Sequence, residues 1–265
     1  MALQQQMMNS VVRILGEYYA GTELAERGVI GTGFILTVDS EQHPGQKHGY
    51  LVTCAHVLDR QIDVEIQTFD SETGVVHSPQ PLPKWWVPMP GVDVAVAPLD
   101  EPQGDRNVIG VSSERHLIPT KLIQGVRLGG KVYNIGILAP LDRVMVRSGT
   151  VGAVDQVGIK HAEGYNYPAH LIDCRSYWGF SGSPCWIEIP VPLLTPVPIY
   201  DPDGEPVTTS GPTGQMGYWL YMVGMLTEHL AESAKGGATS LYGVATVLRG
   251  QEIRAALMAD EVVEH

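Results

Sequence analysis

The chain reads as an all-β protein of closed or nearly closed antiparallel barrels, finished by one helix. Three observations lead there. Short runs of apolar and β-branched residues recur between Gly, Pro and Asp along the whole length. The 30 glycines and 19 prolines are spread rather than clustered, as many separate turns require. Only residues 251–263 space their apolar side chains (Ile253, Ala256, Leu257, Val262) at helical intervals. Many short strands need their edges paired, and closing a sheet on itself does that.

Taken in order, residues 11–15, 33–38, 50–53, 63–69 and 92–98 read as strands of a first half. Residues 131–138, 143–154, 170–174, 183–187, 219–226 and 240–248 read as strands of a second half. The polar, proline-bounded stretch 102–119 reads as the linker, so the halves are 1–110 and 111–265. Residues 190–215, rich in Pro, Thr, Gly and Asp, read as a long insertion, a hairpin or an ordered loop. Lys84, Trp85 and Trp86 precede a turn at 87–91. His43, His48, His77, His116, His161 and His170 show no partner pattern and read as surface or turn residues.

Bulk properties bound the function. Of the 265 residues, 44% are hydrophobic and 17% charged, so a sizeable core can be buried and disorder is excluded. The length suits two small barrels sharing a cleft. A net charge of −12 argues against nucleic acid and an anionic membrane surface as partners. No run reaches the ~18 apolar residues of a membrane span. Residues 1–10 carry no basic or apolar region of a secretory signal, so a cytoplasmic location is expected. Three cysteines, Cys54, Cys174 and Cys185, do not make a disulfide framework and read as small buried hydrophobes in a reducing compartment. No Cys or His pairs stand at structural-zinc spacing, so no metal is expected.

Three islands carry chemistry. In Thr53-Cys54-Ala55-His56 a strand ends at a His, held by backbone yet open to a cleft, as a general base must be. Asp93 heads the apolar run 94–99, where an ionised carboxylate is costly without a partner. In Gly179-Phe180-Ser181-Gly182-Ser183-Pro184 a Ser stands in a tight turn whose N–H groups can converge on an oxyanion. The order is His, Asp, Ser, with gaps of about 37 and about 88 residues.

On these islands the sequence resembles the trypsin-like serine peptidases of chymotrypsin fold, and more the bacterial Deg-like branch, without a PDZ domain. Further likenesses are Gly31-Thr32-Gly33-Phe34, the runs 130–136 and 148–151, Asp173 eight residues before Ser181, and Val223-Gly224-Met225 with Tyr242-Gly243-Val244-Ala245. The resemblance implies two six-stranded antiparallel barrels and a C-terminal helix. It implies a His56, Asp93, Ser181 triad at the seam, an oxyanion hole of the Gly179 and Ser181 N–H groups, and no cofactor. A protein or peptide would be the substrate. By position, Arg175 falls near the floor of the primary pocket, or else points outward. Thr227, Glu228 and His229 fall along the pocket rim, and Trp178 lines the cleft.

Two residues depart from the family motif. Phe180 stands where Asp or Asn is usual, and Ser183 where a second Gly is usual. Phe180 cannot make the ion pair that activates digestive zymogens. The expectation is therefore a serine endopeptidase of narrow specificity or one needing an activating protein partner. The alternatives are an idle barrel that binds peptides through the old cleft, and an esterase or acyltransferase on the same machinery.

Overall fold

In the computed structural model the described residues are 7–17, 27–40, 47–59, 61, 63–70, 73, 75–82, 84–99, 110–123, 126–157, 165–175, 177–200, 206–233 and 239–259. Of 120–121, 191–200, 206–219, 228–233 and 239–243 only the backbone path is described.

The first half is a seven-stranded sheet. Its strands are β1 (Val11–Glu17), β2 (Arg27–Asp39), β3 (Lys47–Thr53), β4 (Glu65–Gln67), β5 (Gln80–Pro81), β6 (Ala95–Leu99) and β7 (Val111–Ser112). The order is β5-β4-β1-β2-β3-β6, all antiparallel, with β7 parallel to β2. β1 and β2 lie centrally, and Val11, Val12, Arg13 and Ile14 are all buried. A strand covered on both sides reads as a continuous apolar run, and Arg13 is the exception in it.

The second half closes as a six-stranded barrel, β10-β13-β12-β11-β8-β9. Its strands are β8 (Lys131–Leu138), β9 (Arg143–Gln156), β10 (Ala169–Asp173), β11 (Pro184–Tyr200), β12 (Pro206–Ser233) and β13 (Thr239–Arg249). Short helices α1 (Ala55–Leu58), α2 (Ser113–His116) and α3 (Thr120–Ile123) and a 3-10 turn (Ala139–Leu141) fill connections, and α4 (Gly250–Leu257) ends the described chain. Ser112 caps α2 through Oγ, which accepts from Arg115 N–H at 3.4 Å.

Two apolar clusters hold these parts. One fills the first sheet and continues without a break through Ile137, Trp186, Met222 and Leu248 of the second half to Ile253 and Leu257 of α4. It therefore glues the halves together. The other, with Ile172, Phe180, Ile187, Val223 and Val247, fills the closed barrel.

Several sequence expectations change here. β5 and β7 were not foreseen, since strands of two residues carry no periodicity. The expected linker is ordered at its end: β7 joins the first sheet and α2 follows, while residues 100–109 lie outside the described residues. His170 is buried, not at the surface, and His116 is half-buried with its Nδ1 accepting from Ser112 N–H at 3.0 Å. His43 and His161 lie outside the described residues. The helix expected over 251–263 runs from Gly250 to Leu257, and residues 260–265 lie outside the described residues.

The insertion at 190–215 is an arm. β11 and β12 stay paired from Pro190↔Tyr218 out to Tyr200↔Pro206. β8 accompanies β11 only over Cys185–Ile187, and β13 accompanies β12 only from Gly224 onward. The outer part of the hairpin thus has no third strand among the described residues.

Candidate active site

His56 sits in α1, a single turn directly after β3. Cys54, at the N-cap, makes no side-chain cap bond. The orphan N–H groups of a helix start need acceptors, and Asp93 supplies one. Its Oδ1 accepts the His56 backbone N–H at 3.0 Å, and its Oδ2 lies 2.7 Å from His56 Nδ1. Asp93 is 2% exposed, while the His56 side chain is 26% exposed. One carboxylate therefore fixes both the backbone and the ring of His56, and the ring alone reaches solvent. Asp93 is delivered by the bend at 91–94, where Gly91 takes φ +83° and Val94 N–H bonds Val92 C=O at 2.8 Å, just ahead of β6.

Two successive turns carry Ser181, 177–180 leading into 180–183, and Ser181 lies in the second. Phe180 N–H bonds Tyr177 C=O at 3.0 Å, and Ser183 N–H bonds Phe180 C=O at 2.9 Å. The third residue of each turn is a glycine with positive φ, Gly179 at +95° and Gly182 at +89°. This is the type II pattern, which calls for Gly at that place. The three-residue spacing of the glycines in the motif follows from it. Gly182 has a second reason: an added Cβ would collide with the carbonyl of Thr32 and the hydroxyl of Thr53.

The turns rest on the first half. Thr32 N–H donates to Ser181 C=O at 2.9 Å, and Thr32 Oγ1 donates to Gly179 C=O at 2.5 Å while accepting Ile137 N–H at 2.9 Å. Ala139 N–H holds Trp178 C=O at 3.2 Å. A trans peptide points its N–H opposite its C=O, so the Gly179 N–H faces away from this support. Among the described residues, neither the Gly179 nor the Ser181 N–H donates to a protein acceptor. The Ser181 hydroxyl donates to Thr227 C=O at 3.1 Å.

The structure thus brings His56 and Asp93 into direct contact and sets Gly179 and Ser181 on two adjoining turns. The remaining candidates fall as follows. Trp178 is 55% exposed, next to its neighbour Tyr177, whose ring lies 4.9 Å under the Arg147 guanidinium. Arg175 is exposed. Thr227 is fully buried, its Oγ1 2.9 Å from Thr246 Oγ1, so only its backbone faces Ser181. His229 pairs with Ala245 through its backbone, and its side chain, like that of Glu228, lies outside the described residues.

The two departures from the family motif are absorbed by packing. Phe180 is buried in the closed barrel, edge-on to Tyr177 at 6.5 Å. Ser183 is buried with its hydroxyl against Gly136 and without a partner among the described residues, so Gly136 leaves the room that Ser183 takes. Thr32, Ala139 and Arg13 escaped the sequence reading as site supports. The one signal was the place of Thr32 between Gly31 and Gly33.

No disulfide joins the three cysteines, all of which are buried. Burial pushes the Cys185 thiol well up and raises that of Cys174, so neither is a ready nucleophile. Cys54, His56 and Asp93 each place one donor atom within 4.8 Å of the others, but the His56–Asp93 bond engages two of these. No helix of the described residues is long and apolar enough to cross a membrane.

Comparison with solved structures places the fold. The chain is similar to the MamO protease domain of Magnetospirillum magneticum at 15% identity and TM-score 0.54, over 96% of this chain and 99% of that one. It is similar to the HtrA-type protease AlgW with a tripeptide at 15% identity and TM-score 0.55, over 97% of this chain and 64% of that one. The Rv3671c protease in its inactive form aligns at 16% identity and TM-score 0.51, over 95% and 88%. No curated protein matches in sequence. A family profile for the trypsin-like peptidase domain matches residues 31–188, more than half of the chain and the span that holds His56, Asp93 and Ser181. The chain belongs to the trypsin-like peptidase domain family.

Proposed function

We propose that this chain is a serine endopeptidase working through His56, Asp93 and Ser181 and an acyl-enzyme. The observation that carries the reading is the double grip of buried Asp93 on His56. A carboxylate only accepts, so the shared proton sits on Nδ1 and Nε2 keeps its lone pair as a base. Ser181 Oγ attacks a peptide carbonyl carbon and its proton passes to His56 Nε2. The tetrahedral oxyanion takes the Gly179 and Ser181 N–H groups, each such donor lowering the barrier by about 3–4 kcal/mol. Collapse breaks the C–N bond as His56 returns the proton to the leaving amine. Water then repeats the sequence on the acyl-enzyme. No step calls for a cofactor.

The Ser181 hydroxyl first has to leave Thr227 C=O and turn to His56. A resting hydroxyl held this way supports narrow specificity or dependence on an activating partner, because substrate or partner binding can favour that rotation. The same bond supports the second reading, an idle barrel that binds peptides in its cleft.

Intact mass after treatment with a fluorophosphonate probe separates the two. The expected result is a single adduct on wild type and none on Ser181→Ala. A folded wild type that takes up no probe, even with peptides present, would sink the peptidase reading.

A further inference from the structure

Two buried residues of the first half grip the second half behind Ser181, and they are direct neighbours. Arg13 and Thr32 face each other across β1 and β2. Arg13, 5% exposed, sends its Nε to within 2.7 Å of Asp142 Oδ1, and its Nη2 donates to Asp142 C=O at 3.2 Å. Arg13 Nη1 is buried with no acceptor among the described residues. Asp142 itself takes a left-handed φ of +48°. A buried guanidinium left partly unsatisfied and a left-handed Asp are both unfavourable. Both occur at this one contact.

The contact leads to the oxyanion turn in three steps. Asp142 closes the 3-10 turn, its N–H on Ala139 C=O at 3.1 Å. Ala139 N–H holds Trp178 C=O, which sets the direction of the Gly179 N–H. Thr32 grips the other end, taking Ile137 N–H and giving to Gly179 C=O. Gly179 packs so closely on Ile137 and Ala139 that an added Cβ would lie 2.6 Å from Ile137 C=O and 2.9 Å from Ala139 Cβ. The platform 137–139 cannot move without carrying the turn.

We propose that Arg13 and Thr32 are positioning residues that aim the Gly179 N–H at the oxyanion, Arg13 through Asp142 and Thr32 directly. The inference rests on the peptidase reading above. Both are buried behind the turn, so both act on transition-state stabilisation and leave ground-state binding alone.

The test compares Thr32→Val, Thr32→Ser, Asp142→Asn, Arg13→Met and the Arg13→Met/Asp142→Asn pair, using a cleaved peptide found by library profiling. Thr32→Val should lower kcat about tenfold to a hundredfold, less than outright loss of an oxyanion donor, with KM unchanged. Thr32→Ser, which keeps the hydroxyl, should restore it. Asp142→Asn should lower kcat about threefold to tenfold, and the pair should be no worse than Arg13→Met alone if both act through one contact. The Gly179 amide resonance of 15N-glycine-labelled protein should move in Thr32→Val and Asp142→Asn but not in Thr32→Ser. Fluorophosphonate uptake by wild type shows separately whether the peptidase reading stands. If wild type takes up none, that reading fails, and the Gly179 resonance decides the positioning role by itself. A folded Thr32→Val with wild-type kcat or an unmoved Gly179 amide overturns the inference. If Thr32→Val does not fold, Asp142→Asn decides by the same two readouts.

Discussion

At the scale of single residues, side chains here serve more than one partner at once. Asp93 holds a helix N–H and an imidazole with its two oxygens. Thr32 Oγ1 both accepts and donates, and its backbone N–H takes a third bond. Ser183 is the contrast, a fully buried hydroxyl with no partner among the described residues. A buried polar group left unmade costs about 1–3 kcal/mol. Ser183→Ala removes the oxygen and keeps the methyl-sized volume. It should leave the fold intact and be neutral or stabilising by up to about 1 kcal/mol in urea unfolding. A clear loss of stability would show that the hydroxyl has a partner after all. The residue types of His56, Asp93 and Ser181 were legible in the sequence because each sits beside its own local signal: a strand end, an apolar run, a glycine pair.

At the scale of elements, the arm of β11 and β12 has to remain a two-stranded ribbon without recruiting a third. Its prolines show how. Pro190, Pro192, Pro196 and Pro198 stand at alternate positions of β11, so their nitrogens all face one edge. The ladder to β12 needs donors on the inner edge, which puts the prolines outward. An outer edge that lacks these N–H groups is a poor template for another strand. Pro196→Val with Pro198→Val should restore donors there and raise self-association, read as a concentration-dependent shift in light-scattering mass. Unchanged monodispersity at high concentration would refute this account of the edge. The insertion was visible in the sequence as a change of composition. Its form as a pair of long antiparallel strands, irregular only between Pro192 and Leu194 within the arm, was not, because turn-rich composition suits a loop equally well.

At the scale of the whole molecule, the halves share an apolar cluster that α4 completes. Near α4, His170 is buried with its Nδ1 accepting Asp155 N–H at 3.2 Å, and the Asp155 carboxylate bonds Arg249. Arg249 also pairs with Glu252 of α4. Burial pushes the His170 imidazole below its ordinary value, as it does for His116. For a base with a lowered folded pKa, the unfolded chain binds the proton more readily. The stabilisation is then full above about pH 6.5 and is lost as pH falls from there toward the folded value. Urea midpoints should therefore drop between pH 7.5 and 5, and His170→Gln should lessen the drop. Parallel curves for the two proteins would show that His170 plays no part in acid sensitivity.

By itself the sequence determined the all-β class, the closing helix and the residue types of the site, because strand pattern, turn chemistry and short motifs are local properties. Tertiary structure alone decided the seven-stranded first sheet, the burial of His170 and the resting bond of Ser181 to Thr227. It also decided which residues stand behind the oxyanion turn. Arg13 meets Asp142 across 129 positions, and Thr32 meets Gly179 across 147. Contacts of that span depend on the register of β1 on β2 and on how the two halves pack, and neither leaves a periodic trace in the chain.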